Sequence, residues 1–209
     1  MRRLGKKPPQ HRIPTDVKWY RLAADQGVAT AQYGLGNAYQ TGQGVKEDFN
    51  EAVKWYRLAA DQGNAWAQYN LGVMYDQGEG VAPDDKEAVK WYRAAAAQGN
   101  AWAQYNLGVM YNDGHGVAQD YKEAVKWYRL AADQGFPQAQ GNLGRMYGLG
   151  RGVAQDYVYA HMWLNLAAAS LRGDESIRDL ISKRMTSEQI LQAQVMARNC
   201  QESNFKNCD

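Results

Sequence analysis

A tryptophan returns every 36 residues, at Trp19, Trp55, Trp91, Trp127 and Trp163. Other positions keep the same register. Leu35, Leu71, Leu107 and Leu143 are each followed by a glycine, and Tyr39, Tyr75, Tyr111 and Tyr147 come three residues after that glycine. A Gly-x-Gly-Val follows, as Gly42/Gly44/Val45, Gly78/Gly80/Val81, Gly114/Gly116/Val117 and Gly150/Gly152/Val153. Asp48, Asp84, Asp120 and Asp156 come next, then Ala52, Ala88, Ala124 and Ala160. An unbroken period of this length requires one small unit that buries its apolar face only by stacking on its neighbours.

Each copy reads as two helices. In residues 64–99, Asn64 is placed to cap the first helix. Ala67, Leu71, Met74, Tyr75 and Gly78 share one stripe of a 3.6-residue period. Gly78 and Gly80 close that helix and open a turn, because glycine enters the left-handed region without a Cβ penalty. Asp84 starts the second helix, with Glu87 three residues on as a capping-box variant. That helix carries Ala88, Trp91, Tyr92, Ala95 and Ala96 and stops before Gly99. The small Gly72 and Ala88 allow close approach of two helix backbones, and Trp91 and Tyr75 fill the remaining volume. The Trp–Tyr pairs are therefore read as core rather than as an aromatic ligand cage. The 7 Trp and 21 Gly of the composition follow from the repeat, since five of the tryptophans occupy one slot.

The pattern Ala-x-x-x-Leu-Gly-x-x-Tyr-x-x-Gly-x-Gly-Val-x-x-Asp-x-x-x-Ala-x-x-Trp-Tyr-x-x-Ala-Ala-x-x-Gly resembles the Sel-one-like repeat (SLR), a relative of the tetratricopeptide repeat. The copies at 28–63, 64–99 and 100–135 carry it throughout. The copy at 136–171 departs, with Leu164 for the tyrosine and Leu171 for the closing glycine. The resemblance implies an all-α fold, a right-handed αα-superhelix or solenoid of 36-residue helix-turn-helix repeats. It also implies an adaptor or scaffold role in protein–protein contacts.

The ends differ from the middle. Arg2, Arg3, Lys6, Lys7 and Arg12 carry the excess behind the net charge of +2, so the body is mildly acidic. Residues 1–14 are expected to be a disordered basic tail. A half repeat at 15–27 opens the solenoid at 15–171, with Thr15 capping a helix at 16–26. A helical cap with a polar tail is expected at 172–209. Asp174 would cap one helix there (Ile177, Leu180, Ile181), and Thr186 with Gln189 would box the next (Ile190, Leu191, Ala193, Val195, Met196). The missing first helix of the half repeat points to a shortened chain and a lost export signal. The protein would then be periplasmic or secreted, and otherwise cytoplasmic. No signal peptide stands in the sequence as written, and no apolar run is long enough to span a bilayer.

Cys200 and Cys208 lie near the end of the chain. A disulfide, two free thiols and a metal pair all fit their spacing. A disulfide would favour the periplasm or secretion.

Catalytic chemistry finds little support. His11, His115 and His161 have no ligand spacing. Ser203-Asn204-Phe205-Lys206 has the spacing of a penicillin-enzyme nucleophile motif without its partner motifs. Gly148, Gly150 and Gly152 follow a helix rather than a strand, so no phosphate cradle is expected. No cofactor and no metal are expected. The small charge excess excludes a strong nucleic-acid partner.

One surface stripe lies outside the core pattern. Helix one of successive copies presents Trp66, Asn70, Val73 and Gln77, then Trp102, Asn106, Val109 and Asp113, then Gln138, Asn142 and Arg145. First helices line the concave face in the tetratricopeptide relatives. Asparagines repeated along it would grip a peptide backbone, offering both donor and acceptor. Trp66 and Trp102 would anchor apolar side chains. The alternative is that these residues pack between repeats. The leading functional expectation is a non-enzymatic scaffold, monomeric, binding a protein or peptide on this face. Two others stand beside it: an enzyme of cell-wall or β-lactam chemistry, by family analogy, and a solenoid without a specific partner.

Overall fold

The computed structural model describes residues 17–168, 175–206 and 208. Tail residues 1–14, the Thr15 cap, Leu171 and the Asp174 cap lie outside them. The described residues form helices without strands: α1 (Val17–Asp25), α2 (Ala29–Thr41), α3 (Phe49–Asp61), α4 (Ala65–Gln77), α5 (Asp85–Ala97), α6 (Ala101–Asp113), α7 (Tyr121–Ala132), α8 (Pro137–Leu149), α9 (Tyr157–Ala168), α10 (Glu175–Ser182) and α11 (Ser187–Glu202). The chain divides into two compact units. One is Met1–Asn106 with His115–Val117, and the other is Leu107–Gly114 with Ala118–Asp209.

The caps explain why each repeat breaks where it does. Asn64 accepts from the Ala67 amide at 2.9 Å, and Asn100 does the same for Ala103. Gly78 ends α4 in the left-handed region at φ 71°. Asp84 accepts from the amides of Lys86 and Glu87 at 2.9 and 3.1 Å. The reciprocal half of a capping box is absent there, because the Asp84 amide already donates to the Tyr75 carbonyl at 3.0 Å. Glu87 turns instead to Lys90 and to the Trp91 indole N–H. The same amide-to-carbonyl bond recurs from Asp48 to Tyr39, Asp120 to Tyr111 and Asp156 to Tyr147. It folds every Gly-x-Gly-Val turn back onto the helix it leaves.

The Leu-Gly glycine is a socket for a ring. A Cβ at Gly72 would stand 2.7 Å from the Tyr92 ring, and at Gly108 2.6 Å from the Tyr128 ring. In the last repeat Leu164 fills the place of the tyrosine, 2.8 Å from a Cβ on Gly144. The ring that seats on Gly72 therefore belongs to the Tyr of Trp91-Tyr92, with the Ala88 carbonyl beside it. Tyr56, Tyr92 and Tyr128 are fully buried.

Consecutive repeats are joined through the second turn glycine. A Cβ on Gly80 would overlap the carbonyl of Phe49, at the start of α3 one repeat earlier. Gly116 meets Asp85 and Gly152 meets Tyr121 in the same way. Glutamines add a polar ladder. Gln68 Nε2 donates to the Ala60 carbonyl at 3.1 Å, and its Oε1 accepts from Gln98 Nε2 at 2.7 Å. Gln62 and Gln32 repeat the pairing at 2.6 Å. Arginines of second helices donate to tyrosine hydroxyls one repeat on: Arg21 to Tyr39, Arg57 to Tyr75 and Arg129 to Tyr147.

The reading of the Trp slot as core holds unevenly. Trp91 and Trp163 are buried, but Trp19 is 70% exposed. Trp55 shows the reason, since it packs on Ala31 and Leu35 of α2, the first helix of its own copy, and on Ala24 of α1. Among the described residues no helix pair precedes α1 to receive Trp19 in this way. At the other end, α11 packs on α9 and buries Ala193, Ala197 and Cys200, while Leu191 and Val195 face solvent. Thr186 and Gln189 form a complete capping box.

Candidate functional site

The first-helix stripe starts in α4. Asn64 sets the first turn of that helix, and the core stripe of Ala67, Leu71 and Met74 fixes its rotation, so Trp66 emerges at the edge of the core. Trp66 is half-buried, with its ring edge-on to Tyr69 at 6.2 Å between centroids. Trp102, at the equivalent place in α6, is also half-buried, with its ring tilted against that of Tyr69 at 6.5 Å between centroids. Tyr69 packs further on Tyr92 at 6.1 Å. The two tryptophans are thus gathered around one buried tyrosine whose hydroxyl is pushed above its ordinary range by desolvation.

The asparagines sit deeper than the tryptophans. Asn70 is 5% exposed and Asn106 3%. Asn70 lies against the Tyr56 hydroxyl, which donates to Gln40 Oε1 at 2.7 Å. The Asn70 amide nitrogen makes no bond of good geometry among the described residues. Burial raises the Tyr56 hydroxyl far above the tyrosine range, Tyr33 adds to this, and Asn70 opposes it. Gln77, at the end of α4, is exposed.

In the second unit, Asp113 is exposed and accepts from the Asn112 amide at 2.6 Å. Gln138, Asn142 and Arg145 are each half-buried along α8. Arg145 donates to Asn142 Oδ1 at 3.2 Å. Among the described residues no three His, Cys, Asp or Glu side chains gather to hold a metal ion. No helix of the described chain is long and apolar enough to cross a membrane.

Sequence reasoning missed two features of this region. Tyr69 was not in the core stripe, although Tyr33, Tyr69 and Tyr105 recur at the repeat spacing. The ladder glutamines Gln32, Gln68, Gln104 and Gln140 also keep the period. Both signals were present, but a polar or aromatic residue on the flank of a helix does not declare itself as buried.

Tandem helix pairs with glycine-closed turns, glycine sockets and one stacking rule define an all-α repeat protein of the SLR type. The Sel1 repeat model matches residues 17–28, 29–64, 67–100, 103–136 and 137–170, and the chain belongs to the Sel1 repeat family. It is similar to a solved protective antigen present in uropathogenic Escherichia coli strains, which displays an SLR fold. The two are 36% identical with a TM-score of 0.82, over 92% of this chain and 42% of that one. A solved Sel1 repeat protein from Oxalobacter formigenes is 38% identical with a TM-score of 0.69, over 73% of this chain and 61% of that one. The chain thus spans less than two thirds of the length of either solved relative. No curated protein matches it significantly. Proteins built from Sel1 repeats generally mediate protein–protein interaction and are typically non-catalytic scaffolds.

Proposed function

We propose that this chain is a non-enzymatic scaffold that binds a protein segment on the face of its first helices, the concave face expected of such repeats. The observation that carries this is the pair Trp66 and Trp102. The corresponding slot holds Thr30 in the preceding copy and Gln138 in the last, so the repeat does not need a large ring there. Two half-exposed indoles around Tyr69 offer rigid apolar contact at low entropic cost, the chemistry enriched in binding hot spots. Gln77 supplies a solvent-facing amide on the same helix. Asn70 and Asn106 are the buried members of the same stripe. Taken by itself, the second unit offers Asp113, Gln138, Asn142 and Arg145 as polar contacts.

The test is affinity capture with the full chain, comparing wild type with the Trp66→Ala/Trp102→Ala double variant. A partner retained by wild type and lost by the double variant, with the helical circular-dichroism spectrum and unfolding midpoint kept, supports the reading. Retention by both removes the tryptophans from the binding face.

A further inference from the structure

The end of the chain is tied down in a way the repeat does not require. Cys200, in the last turns of α11, is bonded to Cys208, with their Cα atoms 4.6 Å apart. Both residues are buried, Cys200 completely and Cys208 to 7% exposure. Between them the chain turns sharply. The Phe205 amide donates to the Cys200 carbonyl at 2.9 Å, and the Ser203 hydroxyl donates to the same carbonyl. Asn204 and Phe205 stand in the left-handed region at φ 55° and 63°, the only non-glycine residues among those described to do so. Two consecutive side-chain-bearing residues in that region persist only where their surroundings hold them.

The turn has a visible purpose. It carries the Phe205 ring onto Gly135, where a Cβ would stand 2.8 Å from the ring edge. Gly135 closes α7 and precedes Phe136, which is itself buried at the start of α8. The equivalent glycines Gly27, Gly63 and Gly99 have nothing within 4 Å of a Cβ position. Gly135 is therefore the one such turn that is covered, and the cover comes from the disulfide loop.

We infer that Cys200–Cys208 is a redox-dependent clasp: closed, it holds Phe205 over the α7–α8 turn and ties the end of α11 to that turn; open, it releases both. Opening is a two-electron reduction by a dithiol. One thiolate of the dithiol attacks the Sγ of Cys208, the less buried residue of the pair, and the S–S bond breaks with Cys200 leaving as thiolate. The second thiol of the reductant then displaces Cys208. The dithiol ends as a disulfide, and the two cysteines end protonated. Burial of both sulfurs slows the first attack, so the clasp stays closed in an oxidising compartment and opens only under sustained reduction.

Hydrogen exchange on the full chain tests this, read by mass spectrometry before and after treatment with dithiothreitol. The amides of Gly135 and Phe136 donate to Ala132 and Ala131 at 2.8 and 3.1 Å. On reduction the segment holding them should exchange roughly tenfold faster or more, along with the end of α11, while α4 is unchanged and reoxidation restores protection. Phe205→Ala with the disulfide intact should give the same acceleration at 133–137. Unchanged exchange at 133–137 on reduction would overturn the clasp. Unchanged exchange there in Phe205→Ala would overturn the role given to the ring.

Discussion

The junction between repeats can be tested with two glycines that differ in one respect. Gly80 and Gly99 both stand in the left-handed region, at φ 67° and 85°. An alanine at Gly99 meets nothing within 4 Å, so it carries the backbone cost alone. That cost is about 1–2 kcal/mol for a residue with a Cβ. An alanine at Gly80 carries the same cost, and its Cβ also overlaps the Phe49 carbonyl and stands 2.8 Å from the Asn50 amide nitrogen. These are backbone atoms of a neighbouring helix, and they cannot swing aside as a side-chain tip would. Overpacking adds about 1–3 kcal/mol. Gly80→Ala should therefore lose about 2–5 kcal/mol in all, against about 1–2 for Gly99→Ala. Urea unfolding followed by circular dichroism at fixed protein concentration gives both values. Equal midpoints for the two variants would refute the claim that the second turn glycine is where repeats touch.

Three further outcomes follow from the caps and the buried titrating groups. Asp84→Ala removes an acceptor that serves two amides and should lower stability by about 1 kcal/mol in the same urea assay. Tyr56 and Tyr69 hold their protons more tightly folded than unfolded. Their contribution is fully present below pH about 10 and is lost as pH rises further, so ultraviolet titration should show Tyr56 and Tyr69 among the tyrosines that ionise only as the helical signal collapses. His161 is buried, and desolvation first and the Arg178 guanidinium second lower its pKa, against the pull of Asp179. Its contribution is present above pH about 6.5 and is lost as pH falls, so the unfolding midpoint should drop between pH 7.5 and 5.5 in wild type and much less in His161→Gln.

Much of the fold was legible because one packing rule is written out several times. A lone Leu-Gly is uninformative, but Gly36, Gly72, Gly108 and Gly144 in register mark a slot where a side chain has no room. Which ring fills that slot was not legible. Sequence spacing favoured a close backbone approach at Gly72 and Ala88, and the Ala88 carbonyl does stand 3.3 Å from a Cβ on Gly72, but the Tyr92 ring stands closer still, at 2.7 Å. The reason is rotational: small residues on two helices show that something comes close, and only the third dimension shows which ring comes with the backbone. The exposure of Trp19 has a related cause. The slot is buried by the two helices that come before it in the stack, as α1 and α2 come before Trp55, so Trp19 on α1 has a different environment although it occupies the same slot.

The stripe outside the core was less legible, and for a physical reason. Asn70 and Trp66 are four residues apart, so one helical turn places them on the same face. A face has depth as well as direction. Asn70 is nearly closed off by Tyr56, while Trp66 reaches the surface past Tyr69, because an indole is longer than an amide and extends beyond the ridge that buries the shorter group. On the proposed reading, two residues of one stripe take different parts: the long rings would present area to a partner, and the short amides would hold the neighbouring repeat in place. This division makes a comparison of variants informative. Loss of Trp66 and Trp102 should reduce capture at constant stability, whereas Asn70→Ala should reduce stability first and capture only in proportion. If Asn70→Ala abolishes capture while the urea midpoint stays at the wild-type value, the amide touches the partner directly and the assignment of depth is wrong.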